Sequence, residues 1–331
     1  MPSSQFLTFT DPFPYQSAIR AVDWEILPTT KGEFRSELTQ INLNKLWMQR
    51  FHDTLPQIQV GTVRPGRKVI GFLTETDQPR MQYRGVDISP HEISCAFDMI
   101  HVRTAGNCRY GGMSLADDDF DAACQALTGR KFELSPFKHP IRPSPGLMTR
   151  LLKLHEIVAQ IARATPDILE QPEVARTLEE QLIHLMVRCL TEGERPEMAN
   201  ASHRHNMIVL RLEEFLEANP DRPLYLTEIC AALSTAERTL RVVCEEHLRM
   251  GPIRYLTLRR MHMVRRALLR EAPLTTTVTR VATDHGFWEL GRFAVAYRQL
   301  FGETPSASLR RPSNDWRLLP NRPSSLTHNL H

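Results

Sequence analysis

The 331-residue sequence lacks several features that would place it in a broad class of protein. It has no run of 18 apolar residues and no basic, then apolar leader at its start, so neither membrane insertion nor secretion is expected. Its six cysteines include no Cys-x-x-Cys pair and no regular framework, which is typical of a reduced protein rather than a disulfide scaffold. We therefore expect a cytoplasmic protein.

Residues that could support catalysis or bind a metal show no recognisable spacing. The candidate zinc or iron ligands in the first half are His52, His91, Cys95, Asp98, His101 and Cys108. They follow no ligand pattern, and the pair His203 and His205 falls in a linker. Asp117, Asp118 and Asp119 form an acidic loop or begin a helix, and no base or nucleophile accompanies them. We predict no metal, no cofactor and no enzymatic activity.

Positive charge is concentrated near the C-terminus. Residues 203–311 contain 17 Arg and no Lys against 12 acidic residues, a net charge of +5, whereas the whole chain carries +3. Basic charge confined to one segment is what neutralisation of nucleic-acid phosphates requires. The alternative explanation of this charge is that an arginine-rich helix only presents a solvated face. The patterns within the segment favour nucleic acid.

Two stretches of this segment, residues 226–240 and 278–293, repeat one design. Each has an apolar-spaced helix, a short turn and a second helix that carries arginine. Gly286 stands where the second turn needs a positive φ, which glycine adopts at little cost. Each stretch is typical of a helix-turn-helix unit, whose second helix enters the major groove of DNA.

The outward-facing side chains of the second helices are the predicted DNA contacts. Arginine binds guanine bidentately, and apolar side chains contact the thymine methyl group. The predicted base contacts are Arg238, Thr239, Arg241, Val242, Leu290, Gly291, Arg292 and Val295. Arg259, Arg260 and Trp288 are predicted to contact the DNA backbone, with capping of the helix stack as the alternative for Trp288.

The connector between the two units has the composition of a single helix. Residues 253–270 contain no proline, glycine or acidic residue. At 1.5 Å per residue, roughly 20 residues span about 30 Å. That is close to one turn of B-DNA, about 34 Å, so the two units are predicted to reach successive major grooves.

Residues 203–311 resemble the DNA-binding domain of the AraC/XylS family of bacterial transcription regulators. The resemblance lies in residues 237–240, 252–256, 282–287 and 297–305. It implies promoter DNA and RNA polymerase as partners. Three positions depart from the family pattern: Ala236 replaces a capping serine, for which Ser234 or Thr235 could substitute; Arg249 replaces a helix-ending glycine; and Val242 replaces a common basic residue.

The N-terminal half alternates short β-like segments with turn residues. Candidate strands lie within 34–51, 57–63, 68–74, 81–88 and 108–115. In the resembled family this position often holds a cupin-like domain that binds an effector and dimerises. The aromatic residues there form the core or line a pocket, and the effector-binding candidates are Trp47, Tyr83 and Phe97.

The predicted fold is α+β, with a β-rich cupin-like barrel and packing helices followed by an all-α domain with two helix-turn-helix units and a linker helix. The predicted domains are 1–145 (sensor), 146–191 (leucine-striped dimerisation helices), 192–203 (linker), 204–311 (DNA binding) and 312–331 (a disordered tail). The dimerisation prediction rests on the apolar faces of the two leucine-striped helices. Together these faces are larger than packing against one edge of a small barrel requires.

The resulting hypothesis is a homodimeric, effector-responsive activator that acts in the cytoplasm, on the nucleoid. One alternative is a ligand-independent regulator whose first half only dimerises, and the other is a cupin-type enzyme fused to a DNA-binding domain. Residues 259–266 faintly resemble a branch that regulates ethanolamine catabolism, which implies a small amine as effector.

Overall fold

The computed structural model describes residues 2–96, 99–132, 140–195, 200–219, 223–270 and 275–311. Within these ranges, the N-terminal half contains strands β1 (Ser3–Phe9), β2 (Val22–Pro28), β3 (Ser36–Leu43), β4 (Leu46–Asp53), β5 (Pro56–Val63), β6 (Arg67–Leu73), β7 (Met81–Tyr83), β8 (Val86–Ile88), β9 (Ser94–Ala96), β10 (Met99–Ala105) and β11 (Cys108–Ala116). Helix α1 (Pro12–Ala18) lies between β1 and β2. The predicted strand segments are confirmed; β1, β2, β9 and β10 are additional.

The strands form two antiparallel sheets that face each other across an apolar core. Sheet A has the order β1-β3-β4-β11-β6-β9, and sheet B has the order β2-β5-β10-β7-β8. Asn44 (φ 73°) and Gly66 (φ 79°) form tight turns between β3 and β4 and between β5 and β6. The expected α+β fold with a β-rich N-terminal domain is confirmed.

Four helices cover the outer face of sheet A: α2 (Asp117–Thr128), α3 (Pro145–Ala164), α4 (Pro166–Glu170) and α5 (Pro172–Glu192). The three aspartates occupy the first turn of α2, so of the two predicted alternatives the helix start is correct. The leucine stripes of α3 and α5 are buried against each other and against sheet A, for example at Leu151 and Leu182. This packing corrects the expectation of a large surplus apolar face; Ile157 and Ile168 remain 37% and 39% exposed.

The C-terminal domain is helical: α6 (Asn200–Ala218), α7 (Leu226–Ala232), α8 (Glu237–Leu248), α9 (Pro252–Arg270), α10 (Val278–Asp284), α11 (Leu290–Phe301) and α12 (Pro305–Arg310). The predicted connector is confirmed as the single helix α9. Its first half packs with α6–α8, and its second half packs with α10–α12. Among the described residues, none of the helices is both long and apolar enough to cross a membrane.

Candidate nucleic-acid interface

The turn between α7 and α8 has the same geometry as the turn between α10 and α11. Thr235 N donates to Cys230 O at 3.0 Å, and Phe287 N donates to Ala282 O at 2.9 Å. The turn residue is left-handed in both cases, with φ 48° at Ser234 and φ 78° at Gly286. The predicted positive φ of Gly286 is confirmed. The two helix pairs therefore present their second helices, α8 and α11, in equivalent ways.

Helices α8 and α11 each bury one side and expose the other. Leu240, Val243 and Cys244 bury the inner side of α8, and Phe293 and Tyr297 bury the inner side of α11. The predicted base contacts lie on the other side: Arg238, Arg241, Val242, Gly291, Arg292 and Val295 are exposed, and Thr239 and Leu290 are half-buried. The structure thus brings the predicted residues of each unit to one surface.

The three outward arginines differ in their partners. Arg241 pairs with Glu237 of the same helix at 2.9 Å, and Arg292 pairs at 2.7 Å with Glu289, the residue that precedes α11. Exposed pairs of this kind contribute little, about 0–1 kcal/mol, so a phosphate or a base can displace the carboxylate. Arg238 has no partner among the described residues.

Exposed apolar side chains accompany these arginines. Val242 is 46% exposed, Val295 is 60% exposed, and Trp288, two residues before α11, is 74% exposed. Such exposure does not support the alternative in which Trp288 caps the helix stack. Large apolar side chains left open on one surface are typical of an interaction site.

The arginines of α9 are placed differently from the expectation. Arg259 is only 12% exposed and pairs with Glu25 of β2 at 2.9 Å and with Glu213 of α6 at 2.7 Å. Arg260 is half-buried, with its guanidinium 5.2 Å from the Phe287 ring. This placement argues against the predicted backbone contact of Arg259, because a side chain held by two carboxylates is not open to a phosphate.

Known proteins match this same domain. A family model described as a helix-turn-helix domain matches residues 229–311. The probable thc operon regulatory protein of Rhodococcus erythropolis is 37% identical over 103 residues, 31% of each chain. The XylDLEGF operon transcriptional activator 2 of Pseudomonas putida is 35% identical over 99 residues, 30% of this chain and 63% of that protein. A solved structure of a probable AraC family transcriptional regulator from Rhodopseudomonas palustris is 32% identical over 32% of this chain and 96% of its own, with a TM-score of 0.30.

The chain belongs to the AraC/XylS family. Its matches to the two curated relatives span less than two thirds of their length. The AraC-like transcriptional activator CuxR covers more of the chain, 78%, at 17% identity and a TM-score of 0.38.

Two departures from the AraC/XylS pattern have structural consequences at the ends of α8. The helix begins after Ala236, which offers no side-chain cap, and Thr235 Oγ1 donates instead to Leu233 O at 3.0 Å. The predicted substitution of Ser234 or Thr235 as the cap is therefore wrong. At the other end Arg249 adopts φ 55°, a left-handed conformation that favours glycine.

A cavity lies between the two sheets of the N-terminal domain of this AraC/XylS protein. Of the effector-binding candidates, Trp47 and Tyr83 line it, and Phe97 lies outside the described residues. Arg20, Gln49 and three glycines also line it, and sequence reasoning missed them because they carry no periodic signal. Among the described residues, no group of three His, Cys, Asp or Glu side chains is placed to hold a metal ion.

The outer face of sheet B contacts the C-terminal domain. Leu27, Ile58 and Val60 enter the same apolar core as the first helices of the C-terminal domain. Side chains alternate along a strand, so Trp24 lines the cavity while its neighbour Glu25 faces helix α9. Sheet B therefore lines the cavity with one face and contacts the C-terminal domain with the other.

Proposed function

We propose that this protein is a transcription regulator that binds promoter DNA through two helix-turn-helix units. One observation carries the proposal: helices α8 and α11 present exposed arginine and apolar side chains and are joined by the single helix α9. The 19 residues of α9 span about 28 Å, near the ~34 Å turn of B-DNA. Two units at that separation fit successive major grooves on one side of the duplex.

Within this proposal, Arg238, Arg241 and Arg292 contact bases, and Val242 and Val295 contact thymine methyl groups. Thr239, Leu290 and Gly291 lie close to the groove floor. Trp288 packs on the sugar-phosphate backbone beside α11, and Arg260 contacts a phosphate once Phe287 releases it. Arg259 braces the domain.

The β-rich domain acts as a sensor in the same proposal. Its cavity binds a small effector, and the shared sheet transmits occupancy to the DNA-binding half. A ligand shifts such an equilibrium only through different affinity for two states, and sheet B is the element whose position both sites can bias. The other proposed partners are RNA polymerase and a second copy of the chain. The proposed outcome is activation of transcription in the cytoplasm.

A homodimer would place four recognition helices on one promoter and raise affinity through effective concentration. The outer sides of α3 and α4, with the exposed Ile157 and Ile168, are the surface we propose for it. Sedimentation of the full chain with and without DNA tests this step. A monomer under both conditions would refute it.

Genomic footprinting followed by binding to a selected site tests the DNA-binding proposal. Arg238→Ala should weaken binding by about 1–3 kcal/mol and relax preference at a single base position. Arg176→Ala is the control, because Arg176 is likewise an exposed arginine on a helix but lies on α5, away from α8 and α11. Equal loss on selected and random DNA would reassign Arg238 to phosphate binding, and no loss on either would contradict the proposed surface.

A further inference from the structure

Strand β1 is an edge of sheet A that is open along its full length. Its residues pair one for one with β3, from Ser3 opposite Asn42 to Phe9 opposite Ser36. Among the described strands, β1 has no neighbour on its other side. The backbone N–H and C=O groups that point away from β3 therefore form a row with which another strand can pair.

The other three edges of the two described sheets are protected against such pairing. Strands β8 and β9 have only three residues each, and β2 carries Asp23 and Glu25 and ends at Pro28. Short strands, charges and proline are the means by which natural proteins block contact between sheet edges. Strand β1 has seven residues, no charge and no proline, and its register with β3 contains no bulge. It is thus the edge that the fold leaves available.

The outer face of β1 carries an exposed aromatic ring at its midpoint. Phe6 is 44% exposed and lies under the Arg163 guanidinium of α3, 5.3 Å from its carbon. Leu7 points to the other face and packs on the apolar core between the sheets. Because side chains alternate along a strand, Ser4 and Thr8 share the outer face with Phe6. The ring is thus flanked by one hydroxyl on each side.

This outer face is complementary to a second copy of itself. In an antiparallel pair of two β1 strands centred on Phe6, each Phe6 lies opposite the other, and each Ser4 lies opposite Thr8 of the second copy. Aromatic pairs and Ser–Thr pairs placed in this way stabilise antiparallel sheets. Moving the centre by one residue, to Gln5 or Leu7, loses both kinds of pair. The sequence of β1 therefore favours one register of a symmetric pair.

The surface beside this edge also suits a two-fold contact. Helix α4 packs against β1, and its Ile168 is 39% exposed. Arg163 and Asp167 are exposed, have opposite charges and make no ion pair with any described residue. A symmetric dimer uses the same patch on both copies, so a patch that contains both charges can pair with its own copy.

We propose that β1 pairs antiparallel with β1 of a second copy, centred on Phe6, and joins the two A sheets into one continuous sheet. Helices α3 and α4 of both copies then lie on one face of that sheet, with the exposed Ile168 side chains beside the contact. The outer face of sheet B, and the C-terminal domain that packs on it, stay clear of the contact. This inference rests on the homodimer of the proposed function and specifies how its two copies meet.

A single cysteine at Phe6 tests the register. Opposed residues of an antiparallel pair have Cα atoms about 4.5–5.5 Å apart, which a disulfide can span. Under mild oxidation the full-length F6C chain should therefore form a covalent dimer. Ser4→Cys is the matched control, because the two Ser4 residues lie four positions apart in the proposed register, about 13 Å, and S4C should not cross-link. Equal cross-linking of F6C and S4C, or none in F6C, would overturn the proposal.

Paired charges test the same contact by affinity. In S4K/T8K each new lysine lies opposite another lysine, whereas in S4K/T8E each lysine lies opposite a glutamate. Like charges directly opposite destabilise a strand pair and unlike charges stabilise it, so sedimentation equilibrium should give S4K/T8K a dimer Kd about tenfold or more higher than S4K/T8E. The two variants differ at one residue and place charges at the same positions, so each controls for the effect of substitution on folding. Equal Kd values would show that β1 does not form the contact.

The same measurements separate this contact from the homodimer itself. If the unmodified chain sediments as a dimer and the two double variants do not differ, the homodimer stands and the β1 contact is wrong. If the unmodified chain is a monomer with and without DNA, both the homodimer and the β1 contact are wrong.

Discussion

Glu25 Oε2 lies 2.9 Å from Arg259 Nη2, and Glu25 Oε1 lies 2.7 Å from Arg266 Nη2. One carboxylate of strand β2 therefore holds two arginines that are two turns apart on helix α9. Arg265, between them, pairs with Asp11 and Glu303. The helix that joins the α7–α8 pair to the α10–α11 pair is thus anchored on the strand that lines the cavity.

Replacing Glu25 should loosen this anchor. In the variant Glu25→Gln both arginines lose a largely buried counter-charge, and removal of one partner of a buried pair costs about 3–5 kcal/mol. Glu213 still pairs with Arg259, so we expect the lower end of that range. Denaturant unfolding of the full chain measures the loss, and ligand-dependent DNA binding should become ligand-independent.

Asp23→Asn is the control for this variant. Asp23 lies on the same strand but pairs with Arg64 at 3.1 Å on the surface, where such pairs contribute about 0–1 kcal/mol. Equal destabilisation by both variants would show that the Glu25 contact has no special role between the domains.

Sequence patterns predicted the local elements but not this anchor. Helix α9 was predictable because residues 253–270 contain no helix breaker, and the turn at Gly286 because its position after α10 demands a positive φ. Strand β2 shows no alternation of buried and exposed residues, because Leu27 and Ile26 are covered on opposite faces by different domains. Arg259 was assigned to DNA because nothing in the sequence places Glu25 beside it.

The uncapped start of α8 predicts a stabilising substitution. Serine at Ala236 should accept a hydrogen bond from one of the free backbone N–H groups of the first turn and raise the free energy of unfolding by about 0.5–2 kcal/mol. Ala294→Ser inside α11 is the control, and it should be neutral or slightly destabilising because serine is a weaker helix former than alanine. If A236S did not raise the free energy of unfolding, the backbone N–H groups at the start of α8 would already have other hydrogen-bond partners.

The residues that end α8 and α11 share a left-handed backbone conformation, but one is arginine and the other is glycine. Arg249 (φ 55°) and Gly302 (φ 75°) both end their helix, and each N–H donates to the carbonyl four residues earlier, at 3.1 and 3.0 Å. Arg249→Gly should therefore stabilise the protein by about 0.5–1 kcal/mol, and Gly302→Ala should destabilise it by about 1 kcal/mol. Thermal unfolding of both variants checks the signs; a destabilised R249G would show that the arginine side chain itself secures the helix end.

Acid should weaken the contact between the two domains. Burial lowers the pKa of His262 to about 4, and its Nε2–H donates to Pro28 O of β2 at 3.2 Å. Burial likewise lowers the pKa of His101 to about 3 and that of His247 to about 4. Each of these histidines stays neutral in the folded protein until the pH nears these low pKa values. In the unfolded chain it takes up a proton as the pH falls below about 6.5.

These histidines therefore do not lower the free energy of unfolding above about pH 6.5, and they lower it progressively as the pH falls from 6.5 toward 4. In that window each histidine contributes a slope of about 1.4 kcal/mol per pH unit. His262→Asn should reduce the pH dependence of the unfolding free energy between pH 6.5 and 5 by about the slope of one histidine. Equal slopes in H262N and the unmodified protein would show that His262 is protonated without cost, and hence that its contact with Pro28 does not hold the domains together.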